Sequence, residues 1–176
     1  MRAAIWQMIS AVTPLDETEA NHIRFALDWI DSGADLFRVS KPATPNPHLV
    51  SYFLLVDGNH VLLVDHINAE LWLPTGGHVE LDENPCDTVV RELREELDVS
   101  AEFIGETPLF VTVSETVGRS SGHTDVSLWF ALKGQVNQNY TYDTSEFHSV
   151  RWFHHSDIPF ERADPNLGRF LKKLYH

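Results

Sequence analysis

The chain is poor in cysteine and in positive charge. One cysteine in 176 residues, Cys86, excludes an internal disulfide framework and fits a reducing compartment, so a cytoplasmic location is expected. Only 13 lysines and arginines stand against 26 aspartates and glutamates, a formal net charge of −13. Such a surface repels a phosphate backbone, and nucleic acid is therefore not an expected partner. No apolar run reaches the ~18 residues that mark a transmembrane helix, so no membrane partner is expected either. The opening segment "MRAAIWQMISAVTP" is mildly apolar but lacks a clear cleavage site, and no signal peptide is expected. Internal repeats and low-complexity segments are missing as well.

What is present is an ordinary globular composition, 43% apolar and 22% charged, long enough for one domain with a real core. A first helix is predicted from about Pro14 to Ser32. Thr13 suits its N-cap, Pro14 its first position, and Gly33 its C-terminal stop. Ile23, Ala26, Leu27 and Ile30 recur there at helical spacing. The proline-rich "SKPATPNPHL" reads as a linker. Two β-rich runs around a Gly-Asn turn, "LVSYFLLVD" and "HVLLVDHI", predict a hairpin. A helix follows over Pro85 to Leu97. Strands are expected in "AEFIGETPLFVTVSE", "TDVSLWFALKG" and "SVRWFHHSD", and a last helix from about Pro165 to Tyr175. Strands on both sides of a mid-chain helix indicate an α/β fold, a mixed sheet sandwiched by helices.

The most informative stretch is Leu73 to Val99, "LPTGGHVELDENPCDTVVRELREELDV", where a glycine pair precedes a dense set of acids. On a helical wheel Glu95 and Glu96 fall within roughly 60° on either side of Glu92, so the three carboxylates share one face. Val89, Val90, Leu93 and Leu97 occupy an adjacent face suited to burial. Carboxylates so close repel one another unless solvated, paired with arginine, or gathered around a cation. An all-oxygen site selects a hard divalent ion such as Mg²⁺, which bridges to substrate phosphates. The "TGGH" segment, read as a turn, would let the main chain approach that ion. The plainer alternative is a solvated helix face with pairs such as Arg91 to Glu95.

Gly77, Glu83, then Arg91-Glu92-Leu93, Glu95-Glu96 and the pair Asp98-Val99 stand at the spacing of the Nudix box, and the chain resembles that family. The one departure is Asp98, in place of the box's late glycine. It lies at the expected helix end, where a left-handed conformation is common and aspartate tolerates it for about 0.5–1 kcal/mol. The resemblance implies a Nudix-type α/β/α sandwich with a mixed sheet over residues 48–176, carrying an added N-terminal helix and proline-rich linker over 1–47. It implies Mg²⁺-dependent hydrolysis, with Mn²⁺ as the alternative ion, of the pyrophosphate bond of a nucleoside diphosphate linked to a further moiety. The expected partner is thus a small-molecule nucleotide or nucleoside-diphosphate derivative, and the expected assembly a monomer or homodimer.

Carried over by position, the resemblance makes Glu95 and Glu96 metal ligands together with the Gly76 carbonyl. Glu92 becomes a ligand or the base, and Arg91 orients a glutamate. Glu83 either pairs with Arg91 or helps hold a further ion. A later acid often assists in the family, and Glu115, Asp125 and Glu146 are the candidates. His78 and His123 could meet a phosphate or make local hydrogen bonds; Trp72, Phe53 and Trp129 could stack on a base or pack in the core. Cys86 reads as an ordinary thiol. Neither of two subfamily markers is present: a tyrosine where this chain has Glu115, Thr116 and Val117, and a proline where it has Ser114. The late "VRWFHHSDIPF" leans toward nucleoside di- or triphosphates. One alternative is a catalytically silent nucleotide-sensing module, although such modules usually lose box acids that are kept here. An isoprenoid diphosphate isomerase would need a cysteine in the cleft, and Cys86 lies within the variable part of the box.

Overall fold

A computed structural model describes residues 1–40, 45–105, 107–116 and 122–176. Part of the expected linker, 41–44, and Val117 of the subfamily marker lie outside the described residues. The N-terminal region holds two helices rather than one, α1 (Arg2–Ser10) and α2 (Glu17–Asp31). Ile5 and Ile9, one helical turn apart, bury the inner face of α1. α2 begins later than Thr13 and Pro14 suggested. Asp16, in extended conformation, is its N-cap and accepts from the Glu19 amide at 2.8 Å. Glu19 in turn accepts from the Leu15 amide, one residue before the cap, at 2.6 Å, so the helix start is closed at Asp16 rather than Thr13. Gly33, at φ 80°, follows the helix end as expected.

Among the described residues the sheet has seven strands: β1 (His48–Asp57), β2 (His60–His66), β3 (Leu71–Leu73), β4 (Thr75–His78), β5 (Phe110–Glu115), β6 (Thr124–Lys133) and β7 (Phe147–His154). The β1–β2 hairpin forms as expected, with Asp57 opposite His60. β1 is central: it runs parallel to β6 along one edge and antiparallel to β4 and β2 along the other. β2 also pairs with β7 and β3, and β5 closes the far edge against β6. The expected strand from Ala101 forms only from Phe110; before it, Phe103 makes an isolated bridge to Leu132. "TGGH" is a strand rather than a turn, pairing Gly76 with Tyr52 and Gly77 with Ser51.

α3 (Pro85–Leu97) and the two N-terminal helices share one core with one sheet face, where Ile5, Ile9, Ile30, Val89, Leu93, Phe53 and Leu128 meet. α4 (Leu167–Leu174) covers the opposite face, packing Leu167 and Phe170 against Trp129, Phe110 and Leu54. The result is a mixed sheet between helical layers. The N-terminal helices share its core: the fully buried Glu19 carboxylate accepts from Lys173 Nζ on α4 at 2.6 Å and from the Val111 amide on β5 at 3.2 Å. Among the described residues no helix is long and apolar enough to cross a membrane.

Candidate active site

α3 is set against β1 at its first turn. Asn84 caps it by accepting from the Cys86 amide at 2.9 Å, Pro85 occupies its first position, and Ser51 Oγ donates to the Pro85 carbonyl at 2.9 Å. With Val89, Leu93 and Leu97 fully buried, the acidic face is turned partly inward. The three box glutamates therefore differ. Glu95 is 63% exposed, Glu92 is 16% exposed, and Glu96 is buried. The glycine pair explains how the carboxylates fit. A Cβ on Gly76, whose φ is 154°, would strike the Ser51 carbonyl, and a Cβ on Gly77 would strike the Glu92 carboxylate. These glycines let β4 lie close to β1 and let Glu92 lie on β4.

Arg91 links the elements of this site. Its guanidinium donates to both oxygens of Glu83 (2.9 and 3.0 Å), to Glu92 Oε1 at 2.6 Å and to the His78 carbonyl at 3.2 Å. The forked contact to Glu83 is the bidentate geometry that a guanidinium favours. Glu83 also accepts from the Glu80 amide and the Thr88 hydroxyl. Burial opposes ionisation of Glu83, yet these bonds, Arg91's foremost, hold its carboxyl below the usual range.

Glu92 and Glu96 shift the other way. Burial is the main cause for both. Glu92 is raised despite Arg91, and Glu96 well above the ordinary glutamate range, with the charges of Glu92 and Glu146 adding to the effect. A backbone hydrogen bond from Gly76 offsets only part of it. Glu96 Oε2 is buried and has no hydrogen-bond partner among the described residues. A buried carboxylate oxygen left this way is costly unless a proton or a cation occupies the space before it. The donor set around it fits a hard divalent ion: carboxylate oxygens on one helix beside a glycine backbone.

Glu96 opens into a cavity of about 230 Å³, together with Gly76, Gly77, His78, Tyr52 and Asp125. Glu115 and His123 also line it. Glu146 does not; it is exposed but close enough to raise both Glu92 and Glu96. Trp72 lies outside the cavity, edge-on to Phe153 and beneath the Arg162 guanidinium, while Phe53 and Trp129 are fully buried. These three aromatic rings pack the core. Cys86 is half-buried, and burial pushes its thiol up, as suits an unreactive side chain.

Three cavity residues, and one residue behind them, had no signal in the sequence. Arg38 and Tyr52 line it, and burial pushes the Tyr52 phenol well up. Asp164, from the loop before α4, has its carboxyl pushed up to about 6 by burial. His48 stands behind the wall, fully buried, with Nε2 3.2 Å from Asp125 Oδ1. The parallel register of β1 and β6 sets His48 opposite Asp125, a pairing between positions far apart in sequence.

The family model described as "NUDIX domain" matches residues 46–174. No curated protein matches the chain. Among solved structures, the fold is similar to that of a NUDIX-family hydrolase from Clostridium perfringens, at 20% identity and TM-score 0.58, covering 74% of this chain and 97% of that one. A MutT NUDIX hydrolase from Burkholderia pseudomallei is similar at 18% identity and TM-score 0.57, covering 72% and 96%. A NUDIX hydrolase from Nitrosomonas europaea follows at 20% identity and TM-score 0.52, covering 80% and 87%. With the box on α3, the glycine strand beside it and a family match over most of its length, the chain belongs to the Nudix hydrolases, the family that cleaves pyrophosphate bonds in nucleoside diphosphate derivatives.

Proposed function

We propose that the chain hydrolyses the pyrophosphate bond of a small nucleotide, a nucleoside di- or triphosphate, with Mg²⁺ held by Glu96, Glu95, Glu92 and the Gly76 carbonyl, Mn²⁺ being the alternative ion. The observation that carries this reading is Glu96 Oε2, buried and unpartnered among the described residues, next to Glu92 and facing a cavity. Bound there, the ion would neutralise pyrophosphate charge and polarise phosphoryl oxygens. The protein's own contribution is positional. Arg91 occupies one oxygen of Glu92, leaving the other for a ligand bond or for the proton of the attacking water. Glu83 holds Arg91 in turn, so the two arginine–glutamate contacts fix the angle at which Glu92 meets β4. Arg38 sits on the cavity wall, where it can meet a phosphate oxygen.

A panel of nucleoside di- and triphosphates, nucleotide sugars, dinucleotides and coenzymes, assayed with Mg²⁺ and with EDTA, tests the proposal. The expected result is metal-dependent release from a di- or triphosphate, lost in Glu96→Gln. Binding without turnover of any compound would overturn it in favour of a sensing module.

A further inference from the structure

A second cluster of side chains able to ligate a metal borders the cavity that Glu96 lines. His48, His78, His123 and Asp125 each offer an atom, and these atoms all lie within 4.8 Å of one another. The sheet assembles them: His48 faces Asp125 in the β1–β6 register, and His78 faces Val50, two residues along the same side of β1. His123 lies two residues before Asp125. None of the four belongs to the box helix.

The hydrogen bonds around the cluster fix its chemistry. His48 Nδ1 is 2.8 Å from the Pro45 carbonyl, which can only accept, so Nδ1 carries the proton and Nε2 presents a lone pair. That nitrogen lies 3.2 Å from Asp125 Oδ1. On the other side, Thr116 Oγ1 lies 3.3 Å from the His123 carbonyl and 3.2 Å from His123 Nδ1; with its one proton on the carbonyl, it accepts from Nδ1. In that tautomer His123 Nε2 presents a second lone pair, 3.4 Å from the same Asp125 oxygen. Three acceptors converge. His48 Nε2 and Asp125 Oδ1 are both buried and have no hydrogen bond among the described residues. Acceptors do not gather in a buried site unless something positive is shared between them.

We infer that His48, His78, His123 and Asp125 form a second metal site, selective for a zinc-class divalent ion and separate from the glutamate site on α3. Three imidazole nitrogens with one carboxylate oxygen suit Zn²⁺ and its neighbours, whereas Mg²⁺ takes oxygen ligands. Two ligands at about 2.0–2.1 Å from a tetrahedral zinc lie about 3.3 Å apart, which matches the 3.2 and 3.4 Å separations at Asp125. The Pro45 carbonyl and the Thr116 hydroxyl are the outer partners that orient ligating imidazoles, each holding the opposite ring nitrogen. Arg38 Nη1, 3.4 Å from His78 Nε2, is the competing cation; an ion bound to that nitrogen displaces it. The site joins the start of β1, the end of β4 and the start of β6.

The test uses the full chain, stripped with EDTA, desalted, and titrated with Co²⁺ in excess Mg²⁺. The expected result is one equivalent of Co²⁺ with the intense visible absorption of a tetrahedral nitrogen-ligated ion, displaced by Zn²⁺. The signal should persist in Glu95→Gln and Glu96→Gln. It should weaken by more than about tenfold in His123→Ala and in the near-isosteric Asp125→Asn, each checked for fold by circular dichroism. A folded wild-type protein giving no such absorption overturns the inference. So does a signal lost in the glutamate variants but kept in the histidine and aspartate variants. The readout needs no turnover, so failure of the proposed hydrolysis would leave it unchanged.

Discussion

At Glu96 stability and the proposed metal binding pull in opposite directions. Its carboxylate is buried, repelled by Glu92 and Glu146, and only partly compensated by the Gly76 backbone. Because its folded pKa is raised, the native state holds a proton that the unfolded chain has already released, and stability from this group falls as pH rises through that folded value. Removing the charge should therefore help the metal-free protein. Glu96→Gln is expected to raise Tm in EDTA at neutral pH by roughly 2–4 °C, the shift that about 1 kcal/mol produces in a chain of this size. The gain should vanish as pH falls toward the ordinary glutamate range, where wild type is protonated too. Thermal melts at several pH values check this. A variant that is more stable yet inactive is the expected mark of a carboxylate kept for binding a cation.

At the scale of the element, α3 ends on Asp98, which takes the left-handed conformation (φ 52°, ψ 40°) anticipated for the box's late glycine. Its backbone amide still closes on the Arg94 carbonyl at 3.1 Å. Asp98→Gly should stabilise the protein by about 0.5–1 kcal/mol in denaturant unfolding while leaving turnover unchanged, since Asp98 is exposed past the helix end and is none of the proposed ligands. Ahead of α4, Asp164 accepts from the Asn166 amide at 2.7 Å while burial lifts its carboxyl from the usual 3.8 to about 6. Between those values the folded state binds more protons than the unfolded state, so the contribution of Asp164 to stability declines as pH rises through that window. Asp164→Asn keeps an accepting oxygen and removes the ionisation. It should flatten that part of the stability–pH curve, with a gain on the order of 2 kcal/mol above pH ~6 and little change below the lower value.

The whole molecule depends on α2 more than a helical extension would suggest. Glu19 accepts from Leu15 within its own cap, from Val111 on the edge strand β5, and from Lys173 on α4. Asp16 reaches α4 as well, through Arg169 at 2.6 Å. Glu19→Ala leaves the mostly buried Lys173 ammonium and the Val111 amide without this partner. Breaking a buried ion pair from one side costs about 3–5 kcal/mol, and a fall of that size in urea unfolding is expected. A change confined to a peripheral appendage would leave the main transition intact.

Most of the architecture was legible in the sequence because it depends on neighbours along the chain. The β1–β2 hairpin, the start and stop of α3, the β6 and β7 segments and the left-handed Asp98 are local matters of periodicity, turn chemistry and capping. The box resemblance rests on spacing along one helix and the strand before it, and so it was readable too. Where local signals competed, the sequence misled. Thr13 looked like a cap, but the bonds from the Glu19 amide to Asp16 and from the Leu15 amide to Glu19, with Glu19 anchored by α4, placed the helix start. "TGGH" looked like a turn, but strand pairing with β1 drew it into the sheet. Tertiary packing alone decided that Glu96 is buried while Glu95 is exposed, because the wheel assigns a common face but not its depth. It alone brought His48 to Asp125 and Asp164 to the cavity wall. Those contacts join residues with no local relation, and they exist only once the parallel register of β1 and β6 and the docking of α4 are in place.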